Sequence, residues 1–165
     1  MVRVLFVCLG NICRSPSAEG VLRKVVAEAG LAHRIESRSA GTGAYHTGEG
    51  ADPRSARAAR RRGYDLSTHC ARCVAPEDFD TFDYVLAMDR DNLRNLKNMQ
   101  ASRGKMRAKV ALLLDYAPTA KVREVPDPYS TGDAGFEFVL DLIESACDGL
   151  LEEIRRESLG AKASV

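Results

Sequence analysis

Val4 to Val7 is an unbroken apolar run, the pattern of a central parallel strand covered on both faces. The period then changes. Ser15 offers an N-cap hydroxyl and Pro16 suits the start of a helix. Ala18, Val21, Leu22, Val25 and Ala29 fall on one helical stripe, and Gly30 supplies a stop. Arg34 to Ser39 alternates without becoming apolar and predicts an edge-like strand. Residues 40–53 are dense in Gly and Thr and predict a surface loop over whatever site lies beside them. A helix is predicted over 54–62, ended by Gly63, and one or two helical turns over 76–82. Asp83 to Met88 reads as a third strand, Asp89 to about Gln100 as a helix with Leu93 and Leu96 inward, and Val110 to Leu114 as a fourth strand. A Pro-rich loop covers 117–132, a length that in a compact domain is usually functional or mobile. The last helix begins near Asp133 and turns Phe136, Leu140, Ile143, Cys147, Leu150 and Ile154 to one side.

Strands alternating with helices predict an α/β fold of three layers, αβα, built on a four-stranded parallel sheet. Ligands in such sheets bind beyond the C-terminal strand ends. The loop after the first strand is therefore the expected site, a phosphate-binding loop. Length and the absence of an internal linker predict a single domain over 1–160 with a flexible tail over 161–165.

Composition narrows the function. A net charge of +1 gives no bulk attraction for nucleic acid or a membrane surface. No apolar run approaches the roughly 20 residues that span a bilayer, and the N-terminal stretch is too short for a secretory h-region. The expected compartment is the cytoplasm. There the cysteines at 8, 13, 70, 73 and 147 read as free thiols or chemistry rather than a disulfide frame.

The first loop runs CLGNICRS, with Cys8 and Arg14 at its two ends. A loop between a strand end and a helix start turns backbone N–H groups inward, a cradle for an anion. Gly10 admits close backbone approach, and Asn11 tolerates left-handed geometry while its side chain braces the loop. A thiol in this setting is expected to have a depressed pKa, since inward amides, the helix dipole and Arg14 all favour the anion. Such a sulfur can attack phosphorus in line, and the planar fork of Arg14 can hold two equatorial oxygens as charge builds. Ser15 can hydrogen-bond either the sulfur or its own helix start. Cleaving an ester also needs an acid. Asp127, stiffened between Pro126 and Pro128, is the candidate; an apolar wall and a phosphate dianion are expected to raise its pKa so that it donates a proton and later activates water. Tyr45 and Tyr129 can flank an aromatic leaving group.

These segments (VLFVCLGNICRSPSAEGV from Val4, SAGT from Ser39, FDYVLAMDRDNL at 82–93 and DPY at 127–129) resemble the low-molecular-weight protein tyrosine phosphatases, in the family's order over nearly the whole chain. The resemblance implies phosphotyrosine hydrolysis through a cysteinyl-phosphate intermediate, with no metal and no cofactor. It assigns Cys8 as nucleophile, Arg14 as phosphate ligand and Asp127 as general acid, with Leu9, Gly10, Asn11, Ile12, Cys13, Ser15, Tyr45 and Tyr129 around the substrate. Asn11 and Ser39 are implied to brace the loop, Ser15 to stabilise the thiolate, and Cys13 to bridge reversibly to Cys8 under oxidation. The implied partner is a phosphotyrosine protein or a small aryl phosphate, and the expected state is a monomer or weak dimer. Ser130 stands where many relatives carry a second aromatic. Relatives acting on phosphoarginine carry threonine where this chain has Ile12, and the larger apolar side chain fits a phenyl ring better.

Other readings remain open on the sequence. Cys70-x-x-Cys73 is half of a zinc motif or a dithiol pair, but no second Cys pair exists and His33, His46 and His69 are not at ligand spacing. The same dithiol admits a thiol-linked arsenate reductase of this fold. A catalytically dead phosphotyrosine-binding module is disfavoured by joint retention of Cys8, Arg14 and Asp127. The arginine-rich stretch 54–62 is either a solvated helix face or a steering surface for acidic phosphopeptides.

Overall fold

The computed structural model describes residues 1–103 and 107–160. The element order is β1 (Val2–Cys8), α1 (Arg14–Glu28), β2 (Ile35–Gly41), α2 (Pro53–Arg61), α3 (Asp78–Thr81), β3 (Tyr84–Ala87), α4 (Arg90–Arg103), β4 (Lys109–Leu112) and α5 (Asp133–Ile154). The strands form one four-stranded sheet in the order β2-β1-β3-β4, and every pairing is parallel. The expected tail over 161–165 lies outside the described residues.

The apolar run of β1 is explained by its central place. Val4, Phe6 and Cys8 join the core cluster packed under α1, α2 and α5. Leu5 and Val7 join the second cluster, with Phe79 of α3 and Leu96 of α4. Successive strand residues point to opposite faces, so a strand between two helix layers has no polar face to show. β2 lies at an edge, which accounts for its mixed polarity.

Several element boundaries shift for local reasons. The fourth strand ends at Leu112 rather than Leu114, because Leu113–Tyr116 closes into a 3-10 turn. β3 pairs over only four positions with each neighbour, so Asp83 and Met88 fall outside it. The helix after β3 runs on to Arg103. Gly63 adopts φ 86° directly beyond α2, a conformation that a Cβ disfavours.

From β1 the chain passes to β2 on one side and then to β3 and β4 on the other. The order reverses between β1 and β3, which is where an open α/β sheet leaves a crevice beyond its strand ends. The loop at 9–13 after β1 and the turn at Met88–Asp89 after β3 both lie there.

The core also holds protons that alkali must remove. Burial pushes the Cys13 thiol and the Tyr84 phenol up to about 12, from 9.0 and 10.0, and raises Cys147, Tyr64 and Tyr116 as well. Above about pH 9 the unfolded chain releases protons that the folded chain keeps, so stability falls with rising pH through about 12. The urea midpoint is expected to decline steadily from pH 8.5 to 11. A flat profile would contradict this account.

Candidate active site

Cys8 is the last residue of β1 and only 2% exposed. Its Sγ lies 3.0 Å from Ser15 Oγ and accepts the backbone N–H of Asn11 at 3.3 Å. The expectation that Ser15 caps the helix is corrected. The helix begins at Arg14, Cys13 occupies the N-cap without a side-chain bond, and Ser15 lies in the first turn. That places its hydroxyl over the sulfur, the other of the two partners open to it.

Asn11 is the one non-glycine residue with positive φ (57°) among the described residues. Its side-chain amide donates to Ser15 Oγ at 2.8 Å and to Ser39 Oγ at 3.0 Å, and its Oδ1 accepts the N–H of Arg72. Ser39 in turn donates to Glu19 Oε1 at 2.7 Å. A buried amide with both ends satisfied holds the left-handed turn that its neighbours require.

Most of the carbonyls from Cys8 to Cys13 are taken by partners, all of these but that of Cys13 from outside the loop and its helix. Cys8 O accepts from Thr42 N, Leu9 O from Gly43 N, Ile12 O from Asp52 N and Cys13 O from Ser17 N, while Asn11 O accepts from His69 Nε2 at 2.6 Å. With the carbonyls drawn outward, the N–H groups of Gly10, Ile12, Cys13 and Arg14 have no protein acceptor among the described residues. They form an anion nest at a helix N-terminus. Gly41 keeps this loop close to β2, since a Cβ there would stand 2.7 Å from Leu9 O.

Arg14 is 3% exposed. Its guanidinium donates to Asp89 Oδ2 at 2.8 Å and to the Val125 carbonyl at 3.0 Å, and its other arm reaches to 3.8 Å from Asp127 Oδ2. Asp89 is itself fixed. Its Oδ1 accepts Asn92 N while its own N–H donates to Asn92 Oδ1, a reciprocal cap on α4. Asp89→Asn retains a side-chain oxygen for that cap but loses the charge that aims Arg14. We expect kcat/KM on an aryl phosphate to fall by up to about 10²-fold with little loss of thermal stability; unchanged kinetics would remove Asp89 from the site.

Cys8, Leu9, Gly10, Ile12, Cys13, Arg14, Tyr45, His46, Asp127 and Tyr129 line one cavity of about 400 Å³. The sulfur and the guanidinium thus face a common space. Asp127 is half-exposed at its edge rather than set against an apolar wall, and its Oδ1 accepts Tyr129 N in a local turn. Tyr45, Tyr129 and Leu9 are exposed at the mouth. Ser39 stays off the cavity and acts through Asn11. Cys13 is buried; the Ser55 hydrogen bond only partly offsets the rise in its pKa.

Sequence reasoning missed Asp89, His46, Arg54, His69 and Glu19. Asp89 stood inside the quoted 82–93 segment, but nothing marked it as the partner of Arg14. His46 Nδ1 lies 2.5 Å from Glu49 Oε2, and its ring centroid lies 6.2 Å from that of Tyr129. Arg54 stacks between Tyr129 and Phe136, at 5.3 and 4.9 Å from the ring centroids, while bound to Asp52. It thereby holds one wall of the mouth. Among the described residues no group of three or more His, Cys, Asp or Glu side chains could hold a metal ion, and no helix is long and apolar enough to cross a membrane.

Residues 3–160 match the family model described as low molecular weight phosphotyrosine protein phosphatase. The chain is 46% identical over 163 residues to the low molecular weight protein-tyrosine-phosphatase of Streptomyces coelicolor, covering 98% of each. It is 41% identical to the human low molecular weight phosphotyrosine protein phosphatase over 150 residues, 91% of this chain and 94% of that one. The crystal structure of YfkJ from Bacillus subtilis superposes with a TM-score of 0.88 at 41% identity, covering 96% of this chain and 97% of that one.

Proposed function

We propose, for a chain that belongs to the low molecular weight phosphotyrosine protein phosphatase family, that Cys8, Arg14 and Asp127 carry out phosphotyrosine hydrolysis in two displacements on phosphorus. The protein is a protein-tyrosine-phosphatase, a phosphoric monoester hydrolase. In the first step Cys8 Sγ attacks the phosphorus of the bound monoester. The P–O bond to the phenol breaks, and Asp127 protonates the departing oxygen. In the second step Asp127, now a carboxylate, takes a proton from water as that water attacks phosphorus. The S–P bond breaks and inorganic phosphate leaves. The amides of the 9–13 loop and the Arg14 guanidinium hold the equatorial oxygens through both steps, where charge is greatest.

The observation that carries this reading is the shared cavity. Cys8, Arg14 and Asp127 line one 400 Å³ space, floored by amides whose carbonyls are drawn away. Leu9, Ile12, Tyr45 and Tyr129 supply apolar walls for a phenyl ring, and Ile12 favours phosphotyrosine over phosphoarginine. Cys13 is the thiol that would bridge to an oxidised Cys8. Held neutral by burial, it responds to a sulfenic acid at Cys8 rather than to peroxide directly.

The arsenate-reductase alternative is withdrawn. The relatives are phosphatases, and Cys70 and Cys73 sit three apart in a segment with no helical turns. All five cysteines are free thiols, which fits a reducing compartment, and we place the enzyme in the cytoplasm. The site is complete within one chain, so a monomer or weak dimer suffices.

A panel of phosphotyrosine, phosphoserine, phosphoarginine and arsenate, run with and without reductant, tests the reading. Turnover confined to phosphotyrosine, lost on mild peroxide treatment and regained with dithiothreitol, is the expected result. Phosphoarginine turnover exceeding phosphotyrosine would overturn the substrate assignment.

A further inference from the structure

The catalytic cavity does not end at its own rim. Ile12, His46 and Tyr129 are shared with a second hollow of about 460 Å³, which continues past Glu49 and Asp52 to Pro53, the first residue of α2. A chain leaving the cavity on this side crosses the partition of His46 and Tyr129 and arrives at α2. The two acids on the way are already answered, Glu49 by His46 and Asp52 by Arg54 at 3.0 Å.

Arg54, Arg57 and Arg61 recur at i, i+3 and i+7, along one face of α2. The ends of this stripe are matched. Arg54 is bound to Asp52 and stacked on Tyr129, and Arg61 is paired with Glu137 at 3.1 Å. Arg57 between them is exposed and has no hydrogen-bond or ion-pair partner among the described residues. α2 itself contains no acidic residue. An unanswered guanidinium one helical turn from the wall of the mouth is complementary to a carboxylate on the substrate.

Resting on the phosphatase reading above, we propose that Arg57 is a specificity residue: it selects phosphotyrosine segments that carry acidic side chains within a few positions of the phosphotyrosine, on the side that passes Tyr129. A small aryl phosphate fills the cavity alone and never reaches α2.

The test compares kcat/KM for an aryl phosphate and for phosphotyrosine peptides flanked by Glu or by Gln, with the flanking residues placed before or after the phosphotyrosine. For the wild-type enzyme the Glu peptide of one polarity is expected to exceed its Gln partner by about two- to fivefold, the scale of an exposed ion pair. The preference is expected to vanish in 0.5 M salt. Arg57→Glu should abolish or invert it and Arg57→Gln should remove it, both leaving aryl phosphate turnover unchanged. If Arg57→Glu also loses aryl phosphate turnover, Arg57→Gln and the wild-type salt series decide. Equal treatment of Glu and Gln peptides in both polarities, or a preference that survives Arg57→Gln, overturns the proposal while leaving the phosphatase intact. No turnover of any phosphotyrosine compound would instead bring down the phosphatase reading, and this proposal with it.

Discussion

Cys8→Ser is expected to abolish hydrolysis of aryl phosphates, with a fall of more than about 10⁴-fold in kcat, while inorganic phosphate or vanadate still binds. The two halves of this result come from different atoms. Binding belongs to the amides of the 9–13 loop and to Arg14, which Thr42, Gly43, Asp52, His69 and Asp89 hold in place, and a serine hydroxyl can still accept the Asn11 N–H that the sulfur takes. Turnover belongs to the sulfur. The serine hydroxyl is far harder to ionise than a thiol, and no neighbour is placed as its base: Ser15 is a hydroxyl and Asn11 presents an N–H. Isothermal titration with phosphate, beside a rate measurement, checks both halves. Wild-type turnover by the serine variant would remove Cys8 as nucleophile. Lost binding would mean that sulfur helps to build the nest itself.

The second large effect is leaving-group dependent. Asp127→Ala is expected to slow hydrolysis of phosphotyrosine by about 10²–10⁴-fold, because a phenolate with a parent pKa near ~10 leaves poorly without a proton. An aryl phosphate with a strongly electron-withdrawing ring should lose much less in the first step. Its phosphoenzyme should then accumulate, since water attack also needs Asp127, and a burst of phenol before slow turnover is the readout. Asp127→Asn separates proton transfer from loop structure, because its side-chain oxygen can still accept Tyr129 N. If the two variants are slowed alike, the loss is chemical. If only the alanine variant suffers, Asp127 serves to shape the loop and the general acid lies elsewhere.

How much of this was readable beforehand depends on the range of the forces involved. The strand at 4–7, the stripe from Ala18 and the last helix were legible because burial on one face or two leaves a period in the chain. Cys8 and Arg14 were legible because one short loop holds both. The boundary errors were also local in origin. Ser15 has the residue type of a cap, yet its hydroxyl lies against the sulfur, and the helix starts two residues earlier. Leu113 and Leu114, read as the end of the fourth strand, instead open a 3-10 turn, since an apolar run without alternation does not distinguish the two.

The amino-acid sequence alone determined the layered α/β arrangement, the short loop that holds both Cys8 and Arg14, and the 117–132 segment whose Asp127 lines the same cavity. Only the tertiary structure decided what makes the loop a nest. Most of its carbonyls are held by partners 34 to 58 positions away, its arginine is aimed by Asp89 at a separation of 75, and its mouth is walled by Arg54 stacked on Tyr129. Such contacts leave no periodicity behind them. They arise because every buried carbonyl and guanidinium must find a partner, and which partner is near is settled by the packing of the sheet and its helices, not by neighbours along the chain.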